Sequence, residues 1–157
     1  MAPLNKTYFD AIEARLANIT TGNGYTNTVG KIARARLKPF KGYDLPAYNI
    51  WATSLVNSIN EYQLDSRSLP VFIEVHTKTN DEPFIDVCDI LAQDLVIGLN
   101  RSIANPAVAD DESPDLGGIV DDFIFLGYEY QVGEGQNPFC AILAQFEVKY
   151  TVNQNTI

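Results

Sequence analysis

The stretch Leu69-Pro70-Val71-Phe72-Ile73-Glu74-Val75-His76-Thr77-Lys78 decides the fold, together with the segment that follows it. Leu69, Val71, Ile73 and Val75 share one parity, and Phe72, Glu74, His76 and Lys78 share the other. Period two with one apolar row is a strand with one buried face. Asn80-Asp81-Glu82-Pro83 then opens a helix, since acids favour the positive helix end and proline fits its first turn. From about Pro83 to Ser102, Phe84, Val87, Cys88, Leu91, Leu95 and Leu99 form a broad apolar stripe, widened by Ile90 and Ile97. This helix is expected to pack on a sheet and to touch something else as well.

Towards the N-terminus, residues 5–19 read as an amphipathic helix, with Phe9, Ile12, Leu16 and Ile19 on one face. Thr20-Thr21-Gly22-Asn23-Gly24 ends it. Residues 28–38 alternate, which predicts a half-exposed strand with Arg34, Arg36 and Lys38 on one side. Pro39 to Pro46 reads as a loop, and residues 47–53, with Tyr48, Ile50 and Trp51, as a second strand. The polar stretch 54–67 either prolongs that strand or forms a loop. Towards the C-terminus, residues 104–118 read as a long acidic loop. Residues 119–131 and 138–152 form an antiparallel hairpin around Gly133-Glu134-Gly135-Gln136-Asn137. In its last strand Cys140, Ile142, Ala144, Phe146, Val148, Tyr150 and Val152 share one parity.

The order is helix-strand-strand-strand-helix-strand-strand. Strands and helices do not strictly alternate, so the expected class is α+β: a mainly antiparallel sheet of about five strands with both helices on one face. The 157 residues make one domain, with an ordered core over about 5–152 and a frayed tail. Hydrophobic residues make up 46% and charged residues 20%, a globular composition. Eleven Lys and Arg against 20 Asp and Glu give a net charge of −9, which argues against a general nucleic-acid coat. No apolar run approaches the roughly 18 residues of a membrane span, and the first residues lack the apolar core of a secretory signal. Cys88 and Cys140 fit no metal or redox spacing. They read as two reduced, buried thiols, with a disulfide the alternative that the sequence leaves open.

No motif for catalysis stands out. Gly24-Tyr25-Thr26-Asn27-Thr28-Val29-Gly30-Lys31 imitates a phosphate loop. However, five residues separate the two glycines, Ile32 stands where Ser or Thr would hold magnesium, and a strand follows in place of a helix. His76 is the only histidine and sits on a polar strand face, without the partners of a zinc site or a triad. Asp110, Asp111, Glu112, Asp115, Asp121 and Asp122 lack calcium-loop spacing. No cofactor is expected. Charge segregation is more informative. Lys31, Arg34, Arg36, Lys38 and Lys41 are five of the 11 basic residues, within 11 positions. A basic edge meeting an acidic loop would join copies head to tail. The candidate contact residues are therefore Arg34, Arg36, Lys38, Asp110, Asp111, Glu112 and Asp115.

Several segments together resemble a family. These are Ile12-Glu13-Ala14-Arg15-Leu16, Asp44-Leu45-Pro46-Ala47-Tyr48-Asn49-Ile50-Trp51, and Ser66-Arg67-Ser68-Leu69-Pro70-Val71-Phe72-Ile73-Glu74-Val75 before a helix. Leu126-Gly127-Tyr128-Glu129-Tyr130 and Ala144-Gln145-Phe146-Glu147-Val148-Lys149-Tyr150 complete the pattern. Over about residues 8–152 the chain resembles the tail terminator (tail completion) proteins of long-tailed bacteriophages, of the minor tail protein U type. The match is one of pattern more than identity. The resemblance implies an α+β virion protein at the tail–neck junction, assembled in the host bacterial cytoplasm. It implies a hexameric ring that caps the tail tube, ends its polymerisation and meets the head connector, with DNA passing transiently through the lumen. It implies no enzyme activity and no cofactor. The alternatives are another neck component, a tube protein, or, in a different class, a small hydrolase or ligand-binding domain using the acidic loop and His76. A DNA-binding module using Arg34, Arg36 and Lys38 is a further one, and would show affinity falling steeply with salt.

Overall fold

The computed structural model describes residues 4–38, 40–53, 56–59, 64–78, 84–100, 116, 119–132 and 139–153. Helix α1 spans Leu4–Leu16 and α2 spans Phe84–Asn100. The strands are β1 Lys31–Arg34, β2 Ala47–Ala52, β3 Val56–Ile59, β4 Leu64–Lys78, β5 Asp122–Val132 and β6 Phe139–Asn153. They form one six-stranded sheet in the order β1-β2-β4-β6-β5, with β3 alongside β4. The class is α+β, as the sequence implies.

One detail of the sheet differs from expectation: the polar stretch 54–67 supplies a sixth strand, β3, and the first residues of β4. The sheet is mainly antiparallel, as expected; among the described strands only β1 and β2 run parallel.

β4 and β6 form the spine, paired from Leu64↔Asn153 to Lys78↔Phe139. Alternation sends Leu69, Val71, Ile73 and Val75 of β4 to the same face as Ile142, Ala144, Phe146, Val148 and Tyr150 of β6. Both helices cover that face. Tyr8, Ile12 and Leu16 of α1 and Cys88, Leu91, Leu95 and Leu99 of α2 join those strand residues in one buried cluster. Each fully buried Val, Leu, Ile or Phe among them contributes about 1.5–3 kcal/mol of apolar burial. On the opposite face, Trp51 and Phe72 stack with centroids 4.5 Å apart.

β1 is shorter than the alternation over 28–38 predicts. Ala35 takes a left-handed φ of 48°, which turns the chain out of the strand after Arg34. Buried Asn49 replaces the lost pairing. Its Oδ1 accepts from the Arg36 amide at 2.9 Å, and its Nδ2 donates to the Arg36 carbonyl at 3.0 Å. Arg34, Arg36 and Lys38 therefore do not emerge along one side of one strand.

Two buried polar side chains tie the helices to the rest. Arg15 is 2% exposed, and its Nη1 donates to the Leu99 carbonyl at 2.6 Å, across from α1 to the last turn of α2. Asp94, 5% exposed on α2, accepts from the backbone amides of Thr26 at 3.3 Å and Asn27 at 2.9 Å. Asp94→Ala strips both amides of their acceptor. A loss of about 1–3 kcal/mol is expected, with faster hydrogen exchange at residues 26 and 27 as the local readout.

Cys88 is disulfide-bonded, and Cys140, two positions before Ile142 on β6, is the only other cysteine in the chain. The expectation of two reduced thiols is corrected accordingly. The nearness of α2 to β6 that makes this possible is tertiary, so the 51 residues between the two cysteines gave no hint of it.

Candidate functional site

The phosphate-loop imitation at 24–31 has another role. Gly24 has φ 91° and caps the 3-10 turn Thr21–Asn23. Gly30 lies against the backbone of residues 44 and 45, where a Cβ would stand 2.8 Å from the Asp44 carbonyl carbon. The chain then enters β1, not a helix.

His76 faces away from the helices. Its Nε2 is 3.3 Å from Glu74 Oε2, and its ring centroid is 5.4 Å from that of Phe40. Trp51 Nε1 donates to the other Glu74 oxygen at 3.1 Å. Eight residues before His76 on the same face of β4, the hydroxyl of Ser68 donates to Glu147. The arrangement at His76 is a hydrogen-bonded carboxylate among rings. Among the described residues no cluster of three or more His, Cys, Asp or Glu side chains could hold a metal. No described helix is long and apolar enough to cross a membrane. A hollow of about 360 Å³, lined by Phe9, Arg34, Ile50, Trp51 and Leu69 among others, opens where β2 outruns β1.

The basic residues proposed as contacts separate in the structure. Arg34 turns back onto α1. Its Nε and Nη2 make a bidentate pair with Glu13 at 2.8 and 2.9 Å, and Nη2 also reaches Asp10 at 2.5 Å. Those acids hold the guanidinium pKa above its ordinary value, Glu13 most of all. Arg36 lies over the Phe40 ring at 4.9 Å. Lys38 is exposed, and so is Lys41, whose ammonium sits 5.6 Å from the Tyr43 ring centroid. Thus Lys38 and Lys41 project to solvent, while Arg34 is engaged within its own chain. Asp110, Asp111, Glu112 and Asp115 lie outside the described residues, as does most of the loop 104–118.

A feature that sequence reasoning missed lies along β5, at the opposite edge of the sheet. Phe123 and Phe125 pair with Val148 and Phe146, so both face the helices. A bulge between Phe125 and Gly127 then shifts the parity, and Gly127 takes φ 145°. As a result Tyr128 and Tyr130, opposite Ala144 and Ile142, also face the helices. The four rings make a row: Phe123 is buried, Phe125 and Tyr128 have centroids 6.4 Å apart, and Tyr128 and Tyr130 meet edge to face at 5.6 Å. Both tyrosine hydroxyls donate to Asp89 Oδ1 on α2, at 2.7 and 2.5 Å. The glycine inside a strand pattern was the available signal, since an isolated Gly there marks a bulge.

No family model matches the chain. No curated protein is detectably similar to it either.

The tyrosine pair also sets charge. Hydrogen bonds from Tyr130, then Tyr128, hold the Asp89 carboxyl below the usual range. Reciprocally, Asp89 pushes both phenols up. Asp89→Asn should return the Tyr130 phenol towards its ordinary pKa of about 10, read by ultraviolet titration of tyrosinate. Because Asp89 is depressed in the folded state, its contribution to stability is present above the unfolded carboxyl pKa of about 3.9 and lost as pH falls through the lower folded value.

Proposed function

We propose that the chain is a structural ring protein of a long-tailed bacteriophage, which caps the tail tube, ends its polymerisation and joins the tail to the head connector. The reading rests on the family resemblance of the sequence. One structural observation supports it most: four of the five resembling segments are neighbours in space. Ala47–Trp51 lies in β2, Ser66–Val75 in β4, Ala144–Tyr150 in β6 and Leu126–Tyr130 in β5, which are consecutive strands of the sheet. The resembling segments thus form one continuous piece of the sheet.

The ring is a scaffold with no reaction to catalyse. DNA crosses its lumen transiently, and acidic groups there would keep phosphates from sticking. The acids of 104–118 are candidates for that lumen or for the neighbouring subunit. Light scattering over a concentration series, with negative-stain images, tests the assembly. Closed rings of about six copies support the reading. A stable dimer that binds no tail tube and loses a measurable hydrolytic activity in His76→Ala would replace it with the hydrolase alternative.

A further inference from the structure

Among the described residues β5 is an edge strand, paired only with β6. β5 is an 11-residue edge strand, with Leu126 52% and Tyr130 45% exposed beside the partly exposed Phe125 and Tyr128. A long edge strand that shows aromatic rings is a template for another chain unless something covers it. Tyrosines whose hydroxyls are already anchored on Asp89 present rigid faces at little entropic cost, as interface residues do. The strand's exposed charges are Asp122 and Glu129, with exposed Asp121 just before it. The connection from β1 to β2 is complementary in both respects. Asn49 holds Arg36, and the Phe40 ring lies 5.4 Å from that of His76, so residues 36 and 40 lie over the face of the sheet away from the helices. Lys38 and Lys41 on this connection are exposed, and so are Leu37 (98% exposed) and Tyr43 (78% exposed).

We infer that the β5 edge of one copy docks the segment 36–43 of the next copy. Leu37 and Tyr43 meet the aromatic row, and Lys38 and Lys41 meet Asp122 and Glu129. The two patches differ, so the contact is head to tail, and copies add in one direction until the rotation closes. The inference deepens the ring reading and rests on it for the closure, but the contact itself rests on the complementarity of the two surfaces.

Two variants with opposite surfaces blocked test it. D122K/E129K removes the β5 surface, and K38E/K41E removes the 36–43 surface; all four positions are exposed, so folding is retained and checked by circular dichroism. Each variant alone should be monomeric at concentrations where the parent assembles. Mixed in equal amounts, they should assemble again in alternation, because the parent pair of surfaces makes one junction and the charge-exchanged pair makes the next. The chain carrying all four changes should assemble again, its charges exchanged. If the parent forms rings and each variant does too, the edge contact is wrong while the ring reading stands. If the parent stays monomeric up to its solubility limit, the contact is also overturned, and the ring reading passes to the tube experiment. Should D122K/E129K assemble normally but fail to bind tail tubes, the occupant of β5 is the tube and not a second copy.

Discussion

Gly30→Ala should lower the unfolding free energy by about 3 kcal/mol, at the upper end for overpacking, and move the urea midpoint down with its slope unchanged. A Cβ at this position would collide with the Asp44 carbonyl oxygen, and would stand 2.8 Å from the Asp44 carbonyl carbon and 3.1 Å from that of Leu45. These are main-chain atoms, which have no rotamer to yield. The Gly30 amide also donates to the Pro46 carbonyl at 2.7 Å, one residue before β1 and β2 begin to pair at Lys31↔Ala47. Any relaxation therefore disturbs the start of the parallel ladder. Gly22→Ala is the control. A Cβ there would stand 3.8 Å from the Thr20 hydroxyl, an ordinary contact, and the change should stay within about 0.5 kcal/mol. Equal midpoints for the two variants would mean that segment 44–46 stands away from Gly30.

Arg15→Ala carries the second large effect, a loss of about 3 kcal/mol. Arg15 is among the largest fully buried side chains of the described residues. Its guanidinium serves the Leu99 carbonyl, one of the last carbonyls of α2, which lack helical partners and lie at the negative end of the helix dipole. Alanine removes the packing volume and the charge-assisted bond together. Arg15→Met separates them, since it restores most of the volume and leaves the carbonyl unserved. The methionine variant should fall between parent and alanine in thermal unfolding. If methionine matches the parent, the carbonyl contact contributes nothing and Arg15 acts only by filling space.

Much of this fold was legible because alternation and helical periodicity coincide with burial. Leu69–Val75 and Ile142–Tyr150 alternate into the core, and Cys88, Leu91, Leu95 and Leu99 follow the helix period. The failures have separate physical causes. Leu64 to Ser68 is polar and becomes strand through its partners in β3 and β6, which no local propensity announces. Ala35 ends β1 in a left-handed conformation that alanine seldom adopts, so nothing in residues 28–38 marked the stop. Arg15 fell among the polar positions of an amphipathic helix, yet its burial follows from a helix end 84 residues away. The candidate site divides in the same way. The basic residues were found by their density, but the recruitment of Arg34 by Asp10 and Glu13 is a tertiary event. The tyrosine row of β5 depends on a one-residue bulge whose only trace is Gly127.

The proposal that the chain caps a tail tube as a ring is tested most directly by adding the purified protein to tail tubes growing from the tube protein encoded beside it. Electron micrographs should show one ring of density at a tube end and tubes that stop lengthening on addition. Tubes that grow to the same length as without the protein, with bare ends at every concentration, would contradict it.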